Sequence, residues 1–327
     1  MLRIDPLHPS TAAESALAGY ARVLRAARAV DRPDLPGLTE EAVLGRLSGP
    51  ACGAGPVLHL VAHKEDVVGV ASAHFPSDVE NRGVALADVR VHPGHRRAGV
   101  GTALLDAVLA AARERDRVVL EGIRVVKDGA GERWAAARGF HPVHQVVDQS
   151  LVVTEVDPAL WDVRPPAGYL IRHWTGAAPD ELVASLAAAR SSLTDAPRGG
   201  TAYRAPTWSA GALRAQEAEL AERGVERRVV VAVHEAVGEV VAFTELDVRP
   251  HRPASAVQRD TAVLARYRGL GLGRAVKAHQ YRLLVAQRPG LDRVHTTTGA
   301  DNAHMIGVNH QLGFTTGRDL LTVNRPV

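Results

Sequence analysis

The sequence predicts a mixed α/β fold, a sheet with helices on both faces, and it predicts that this fold is built twice. Three observations carry the prediction. The chain repeats itself: Val-His-Pro-Gly-His-Arg-Arg-Ala-Gly-Val-Gly begins at Val91, and 172 residues later Val-Leu-Ala-Arg-Tyr-Arg-Gly-Leu-Gly-Leu-Gly begins at Val263. In each copy a β-branched run enters the glycine-rich loop and an amphipathic helical pattern leaves it. Each half then has the same order: strands, loop and helix, strand, helix, strand. Two equivalent domains follow.

Taken in order, residues 10–30 place Leu17, Tyr20, Leu24 and Ala27 on one helical face, with Ser10 as N-cap and Pro33 beyond the end. Val57–His63 and Val67–Phe75 are β-rich runs about a Lys64-Glu65-Asp66 turn, and Gly83–Val91 is a strand feeding the first loop. Val100, Leu104, Leu105, Val108 and Ala112 keep helical spacing after it. Val118–Val126 reads as strand, Gly131–Arg138 as helix and Val143–Val153 as strand. Asp157-Pro158 and Arg164-Pro165-Pro166-Ala167-Gly168 break the pattern, so 1–154 is expected as the first domain, 155–168 as linker and 169–327 as the second domain.

The order then restarts. Tyr169–Trp174 is a strand, and Pro179–Ala189 and Ser209–Arg223 are helices. Arg228–His234 and Glu239–Val248 form a hairpin, and Asp260–Val263 enters the second loop. Leu272, Val276, His279 and Leu283 mark the next helix; Arg293–Thr298 is a strand and Ala303–Leu312 a helix.

Composition bounds the function. A chain of 327 residues suits two domains, and 46% hydrophobic with 23% charged residues is a soluble globular balance. No apolar run approaches a membrane span and no secretory leader opens the chain, so a cytoplasmic protein without membrane partners is expected. The single Cys52 excludes an internal disulfide and has no partner in sequence that would activate it as a nucleophile. No Cys/His cluster has metal-site spacing, so no metal is expected. The pI of 9.3 rests on a net charge of only +3 with scattered arginines, and 4% aromatic residues are too few for base stacking. An anionic small ligand therefore fits better than a nucleic acid. Monomer and homodimer both remain open.

The loops carry the chemistry. A glycine-rich loop that opens a helix after a strand presents free N–H groups and a positive helix end to an anion. Arg96, Gly99 and Gly101 pair at the repeat offset with Arg268, Gly271 and Gly273, and Asp88 pairs with Asp260. Three strand-like segments precede the first loop, and no acidic residue ends a second βαβ unit, which argues against a dinucleotide fold. No Gly-Lys-Ser/Thr follows, which excludes a Walker A loop.

Arg-x-x-Gly-x-Gly after a strand ending in Val, with Arg138-Gly139-Phe140 or Leu312-Gly313-Phe314 downstream, resembles the GNAT N-acetyltransferase superfamily in tandem form. The second half is the better match, through Asn302-Ala303-His304-Met305 and Asn309-His310-Gln311-Leu312-Gly313-Phe314; Asp128 and Trp134 belong to a weaker ending in the first. The resemblance implies acetyl-CoA as cosubstrate, bound through Thr261, Val263, Arg268, Gly269, Gly271, Gly273, Arg274 and Asn302. In the first half the matching residues are Val89, Val91, Arg96, Arg97, Gly99, Gly101 and Thr102. It also implies that the strand before each loop splays from its neighbour and that its backbone polarises the thioester carbonyl, a role worth about 3–4 kcal/mol per donor.

By the same resemblance the general acid is a Tyr four residues before the Gly of Gly-Phe, but Ala135 and Asn309 stand there. An alkyl thiol with a pKa near ~8.5 can leave without one, more slowly. Glu245 is the candidate general base, since its first-half neighbours are Ala73 and His74; Asp260 reads as architectural because Asp88 repeats it. His304 is a candidate proton donor, and Asn302 suits the amides of pantetheine. Tyr203 and Trp208 are candidate walls of an acceptor pocket. The expectation is an acetyltransferase acting on a small-molecule primary amine, with the second half catalytic and the first accessory. The rivals are an inactive acyl-CoA-binding module and a catalytic first half.

Overall fold

The repeat is structural as well as sequential. The computed structural model describes residues 1–47, 55–195 and 199–327, so Cys52 lies outside the described residues. The first half runs β1 (Arg3–Leu7), α1 (Glu14–Asp31), α2 (Glu40–Leu47), β2 (Val57–His63), β3 (Val67–His74), β4 (Val84–Val91), α3 (Val100–Arg113), β5 (Val119–Val126), α4 (Ala130–Ala136) and β6 (His141–Val152). The second repeats the order as β7 (Tyr169–Thr175), α5 (Asp180–Ser191), α6 (Ala210–Glu222), β8 (Glu226–His234), β9 (Val240–Arg249), β10 (Arg252–Val263), α7 (Leu272–Gln287), β11 (Arg293–Gly299), α8 (Ala303–Gln311) and β12 (Thr315–Pro326). The α/β class with helices on both faces is as expected. The strand β1 and the helix α2 carry no clear periodicity and were not anticipated. The helix α1 starts at Glu14 behind the N-cap Ala13, three residues later than an N-cap at Ser10 suggests.

The chain divides into two compact units, but not at the turn signals. The first unit comprises Met1–His144, Gly199–Arg204 and Leu320–Val327; the second comprises Gln145–Arg198 and Ala205–Asp319. In the first, β1 to β4 pair antiparallel in sequence order, β5 joins β4 in parallel, and Leu320–Pro326 of β12 covers the far edge of β5. In the second, β7 to β10 pair antiparallel, β11 joins β10 in parallel, and Val146–Val152 of β6 covers β11. Each repeat thus gives its last strand to the other repeat's sheet. The boundary expected at 154 is corrected accordingly: strand pairing sets it, and turn residues do not report which sheet a strand joins.

Nor is 155–168 a free linker. Trp161 is buried, donates its Nε1–H to the carbonyl of Leu312 at 3.0 Å and stacks 6.1 Å from Tyr281. The segment is therefore anchored to the second unit's core.

Period-2 alternation sorts each sheet's side chains between two helical layers. In the first unit Tyr20 and Val23 of α1 and Val43 of α2 pack with Val61 and Val70 of the sheet, while Leu104 and Val108 of α3 pack with Leu60, Leu120 and Phe140. In the second, Leu186, Leu213, Val231 and Phe243 fill the α5/α6 face, and Leu246, Tyr281, Leu284, Val294, Leu312 and Phe314 fill the α7/α8 face. Among the described residues no helix is long and apolar enough to cross a membrane.

Trp161→Ala should lower the unfolding free energy of the chain by about 3–5 kcal/mol, since it opens a cavity and orphans a buried carbonyl. Denaturant unfolding followed by circular dichroism measures it; a change under ~1 kcal/mol would return 155–168 to the status of a linker.

Candidate active site

Both repeats build the same backbone device. The parallel pair β4–β5 is bonded only over Val84–Ala87 against Val119–Gly122, and β10–β11 only over Ser255–Val257 against Arg293–His295. Beyond those residues β4 and β10 run on with a ladder partner on one side alone: Val89 and Val91 face Ala71 and Gly69 of β3, and Thr261 and Val263 face Thr244 and Ala242 of β9. The other backbone edge of each strand is left open. In β10 the opening coincides with a bulge that sets Arg259 and Asp260 opposite the single residue Glu245 of β9.

Each open strand ends in a loop held in left-handed backbone. Gly269 and Gly271 have φ of 80° and 76°; Gly99 has 77°, and Arg97, at the repeat position of Gly269, has 63°. The first copy keeps the shape despite a side chain at a strained position. A Cβ at Gly99 or Gly271 would meet nothing within 4 Å, so each loop offers open space above its backbone. The first helical bonds after the loops are made by Ala103 and Ala275, so the N–H groups of 97–102 and 269–274 have no backbone acceptor. These are cradles for an anion.

The two cradles differ in charge. Arg96 donates from Nη1 and Nη2 to the carboxylate of Asp31, both at 2.9 Å, and from Nε to the carbonyl of Val91. Among the described residues Arg268 makes only the equivalent bond, to the carbonyl of Val263 at 3.2 Å. Arg274, on the first turn of α7, has no ion pair among the described residues, and Thr102 stands at its repeat position. The indole of Trp134 also lies against the start of α3, 3.5 Å from where a Cβ of Gly101 would be, whereas Gly273 meets only Val263. The second loop is the more positive and the less crowded.

The candidates for proton transfer are placed differently from expectation. Glu245 is 1% exposed and lies on the α5/α6 face, where Arg227 Nη1 reaches its Oε2 at 3.1 Å and Arg190 Nε its Oε1 at 3.4 Å. Arg227 also grips Asp247 with Nε and Nη2, and Arg190 donates to Gln216 at 2.9 Å and stacks 3.7 Å from the Trp208 ring. Burial pulls the Arg190 guanidinium below its ordinary value against the pull of Glu245; burial acts likewise on Arg227, but Glu245 and Asp247 outweigh it and raise it. Both carboxylate oxygens of Glu245 are taken up by guanidiniums inside the core. Glu245 is thus placed as the anion of a buried charge network, and the assignment as general base is corrected for that reason.

Asn309 is buried too. Its Nδ2 donates to Gln149 Oε1 at 2.7 Å and to Thr298 Oγ1 at 3.3 Å, while its Oδ1 has no partner. Asn302 caps α8, accepting from the Met305 N–H at 3.1 Å, which leaves its Nδ2 for a ligand. His304 is exposed on the first turn of α8. Asp88 is paired with Arg90 at 2.7 Å, and Asp260 is exposed in the bulge. Tyr203 falls in the first unit and Trp208 in the second, so the two do not wall one pocket within a unit. Among the described residues no three metal-binding side chains meet. Asp31, Gln149 and Lys277 were missed. Asp31 and Gln149 come from distant segments with no local signal, but the repeat offset sets Lys277 against the core residue Leu105.

With that geometry in place, relatives can be compared. The pattern of the "Acetyltransferase (GNAT) family" matches residues 29–140 and 192–314. A mycothiol acetyltransferase of Kineococcus radiotolerans is 29% identical over 94% of this chain and 95% of its own length. One from Clavibacter michiganensis is 31% identical over 70% of this chain and 68% of its own. Among solved structures, a tandem GNAT protein from the clavulanic acid biosynthesis pathway has a TM-score of 0.81 at 25% identity, covering 100% of this chain and 98% of that one. A GCN5-related N-acetyltransferase from Sphaerobacter thermophilus shares the fold, with a TM-score of 0.73 at 16% identity, covering 99% of this chain and 95% of that one.

Glu245→Gln leaves two buried guanidiniums short of an anion and should cost about 3–5 kcal/mol of stability. Urea unfolding reads it; a parental midpoint with kcat depressed at least ~100-fold would restore the general-base assignment.

Proposed function

The chain belongs to the acetyltransferase (GNAT) family, and on that premise we propose that its second repeat transfers the acetyl group of acetyl-CoA to the primary amine of a small molecule by direct attack. The family and its acetyltransferase relatives make the chain an acetyl-CoA-dependent N-acetyltransferase in tandem form. The observation that carries the assignment to the second repeat is the contrast between two loops of one backbone shape. Arg268 and Arg274 keep their charge for a ligand, while Arg96 gives its charge to Asp31.

Coenzyme A fits this site on structural grounds. Its pyrophosphate needs closely spaced N–H donors without side chains in the way, which the N–H groups of 269–274 and the open space over Gly271 offer. Arg268 and Arg274 add charge-assisted bonds. The open edge of β10 at Thr261–Val263 would lie along pantetheine and aim an N–H at the thioester carbonyl. The spare Nδ2 of Asn302 and the orphaned Oδ1 of Asn309 suit the donor and acceptor needs of its amides. Val89, Val91, Gly99 and Gly101 present the same edge and loop in the first repeat, where the Trp134 indole and the Arg96–Asp31 pair oppose a second anion. That repeat is read as accessory.

The acceptor amine attacks only when neutral, so the rate should rise as its ammonium loses a proton. The relatives' name points to mycothiol, and small amines of that type are the first acceptors to assay. A non-catalytic acyl-CoA-binding module is the second reading, favoured by Asn309 and Ala135 where the family acid would stand.

Gly271→Val should weaken acetyl-CoA binding at least ~30-fold, about 2 kcal/mol, while Gly99→Val should leave it within ~3-fold. Calorimetric titration measures both. The opposite pattern would move the site to the first repeat. Thiol release that fails to depend on an added amine would favour the binding module.

A further inference from the structure

Helix α7 turns a continuous stripe to the core: Leu272, Val276, Tyr281 and Leu284 are all buried. Lys277 lies in that stripe and is 2% exposed. At the repeat offset α3 has Leu105, an ordinary core leucine, so the fold of this helix does not require a lysine. Among the described residues Lys277 has no hydrogen-bond or ion-pair partner. Its Nζ lies 5.8 Å from the Tyr281 ring centre and 5.7 Å from that of Phe314. Burying an ammonium without an anion is costly, and a helix position that accepts leucine in one repeat has no structural need of it.

Two contacts bracket the helix position that carries that amine. At the start of α7, Gly273 lies against Val263, 3.4 Å from where its Cβ would be. Two turns on, Tyr281 donates its Oη–H to Gln258 Oε1 at 2.7 Å. Gln258 directly follows Val257, the last residue of β10 paired with β11. Lys277 lies midway between Gly273 and Tyr281 on the same helical face, so the helix carries its backbone over the stretch from Gln258 to Val263, and its Nζ reaches towards the Tyr281 and Phe314 rings. This is the stretch where β10 has left β11. Asn309 borders the same helical face of the unit, its Oδ1 unpartnered, and the Phe314 N–H bonds to its carbonyl.

We propose that Lys277 delivers the proton to the thiolate that leaves acetyl-CoA in the second repeat, filling the role left open by Asn309. The inference rests on the second repeat being the catalytic one. As the amine attacks, the carbon–sulfur bond breaks and the sulfur takes a proton from Nζ. The attacking nitrogen gives its own proton to solvent, and Lys277 recovers one when product leaves, so the count closes. The neutral amine left behind suits the aromatic surroundings better than the ammonium. Burial lowers Lys277 from 10.5 to about 7, so near neutral pH it is charged often enough to give a proton that a thiolate, with its usual value of ~8.5, holds more tightly. No carboxylate or cation contributes to that shift. Beside the Lys277 amine are Tyr281 on its own helix, its hydroxyl raised by burial and bonded to the uncharged Gln258, and the uncharged Phe314 beyond α8.

Lys277→Leu tests this, because leucine is the first repeat's residue and the fold should hold. A lysine whose folded value lies below its unfolded one makes the parent less stable below that window, and the penalty fades as pH rises from about 7 towards 10.5. The variant should therefore unfold at higher denaturant than the parent at pH 7, with the gap closing by pH 10. Its kcat should fall at least ~100-fold, its acetyl-CoA affinity should stay within ~3-fold, and the fall in kcat on the alkaline side of the parent's profile should vanish. Unchanged kcat, or a loss equal at every pH with that alkaline fall still present, would overturn the proposal. Failure of the parent's second repeat to bind acetyl-CoA would instead overturn the reading on which it rests.

Discussion

A parallel strand pair that bonds for a few residues and then parts is the constraint on which the rest of each unit depends. Ordinary parallel ladders satisfy both edges of a strand and leave nothing for a ligand. Here β10 keeps β9 as a partner throughout but loses β11 after Val257, so its remaining edge carries backbone groups that water or a ligand must satisfy. The left-handed loop at Gly269 and Gly271 then turns the chain into α7 with its first N–H groups unspent. An opened edge and an uncapped helix start, one after the other, form a track of backbone donors and acceptors that ends in N–H groups alone. That track fits a long, polar, phosphorylated cosubstrate with a reactive end.

The first repeat keeps this geometry and spends it differently. Arg97 holds a left-handed conformation that glycine adopts freely in the second copy, which shows that the loop shape survives without the residue suited to it. The change lies in electrostatics and space. Asp31 neutralises Arg96, and the Trp134 indole lies at the helix start. Removing one net positive charge from a helix N-terminus weakens its pull on a phosphate without disturbing any backbone atom. Two sites alike in backbone can thus differ in ligand.

The charge network at Glu245 shows why carboxylates are poorly assigned from sequence. Glu245 sits on β9, the strand that stays paired with β10 opposite its opened edge. Its partners Arg190 and Arg227 come from other elements, α5 and β8. Lys277 is the converse case. The repeat offset sets it against the core residue Leu105, a contrast that the sequence contains. Only the absence of a counterion around it turns that contrast into chemistry.

By itself the sequence determined the repeat, the α/β class, both loops and the strands and helices around them. These are local: a glycine pattern sets φ, and apolar period sets which face is buried. The splay and the glycine cradle were legible through the family resemblance. Only the tertiary structure decided which sheet each terminal strand joins, that Trp161 ties 155–168 to a core, and that Glu245 is held between guanidiniums. Each of these depends on pairing between segments far apart in the chain. A hydrogen-bonded edge accepts any strand of suitable pattern, and a charge takes whichever partner the fold brings near, so neither choice is written in the local residues.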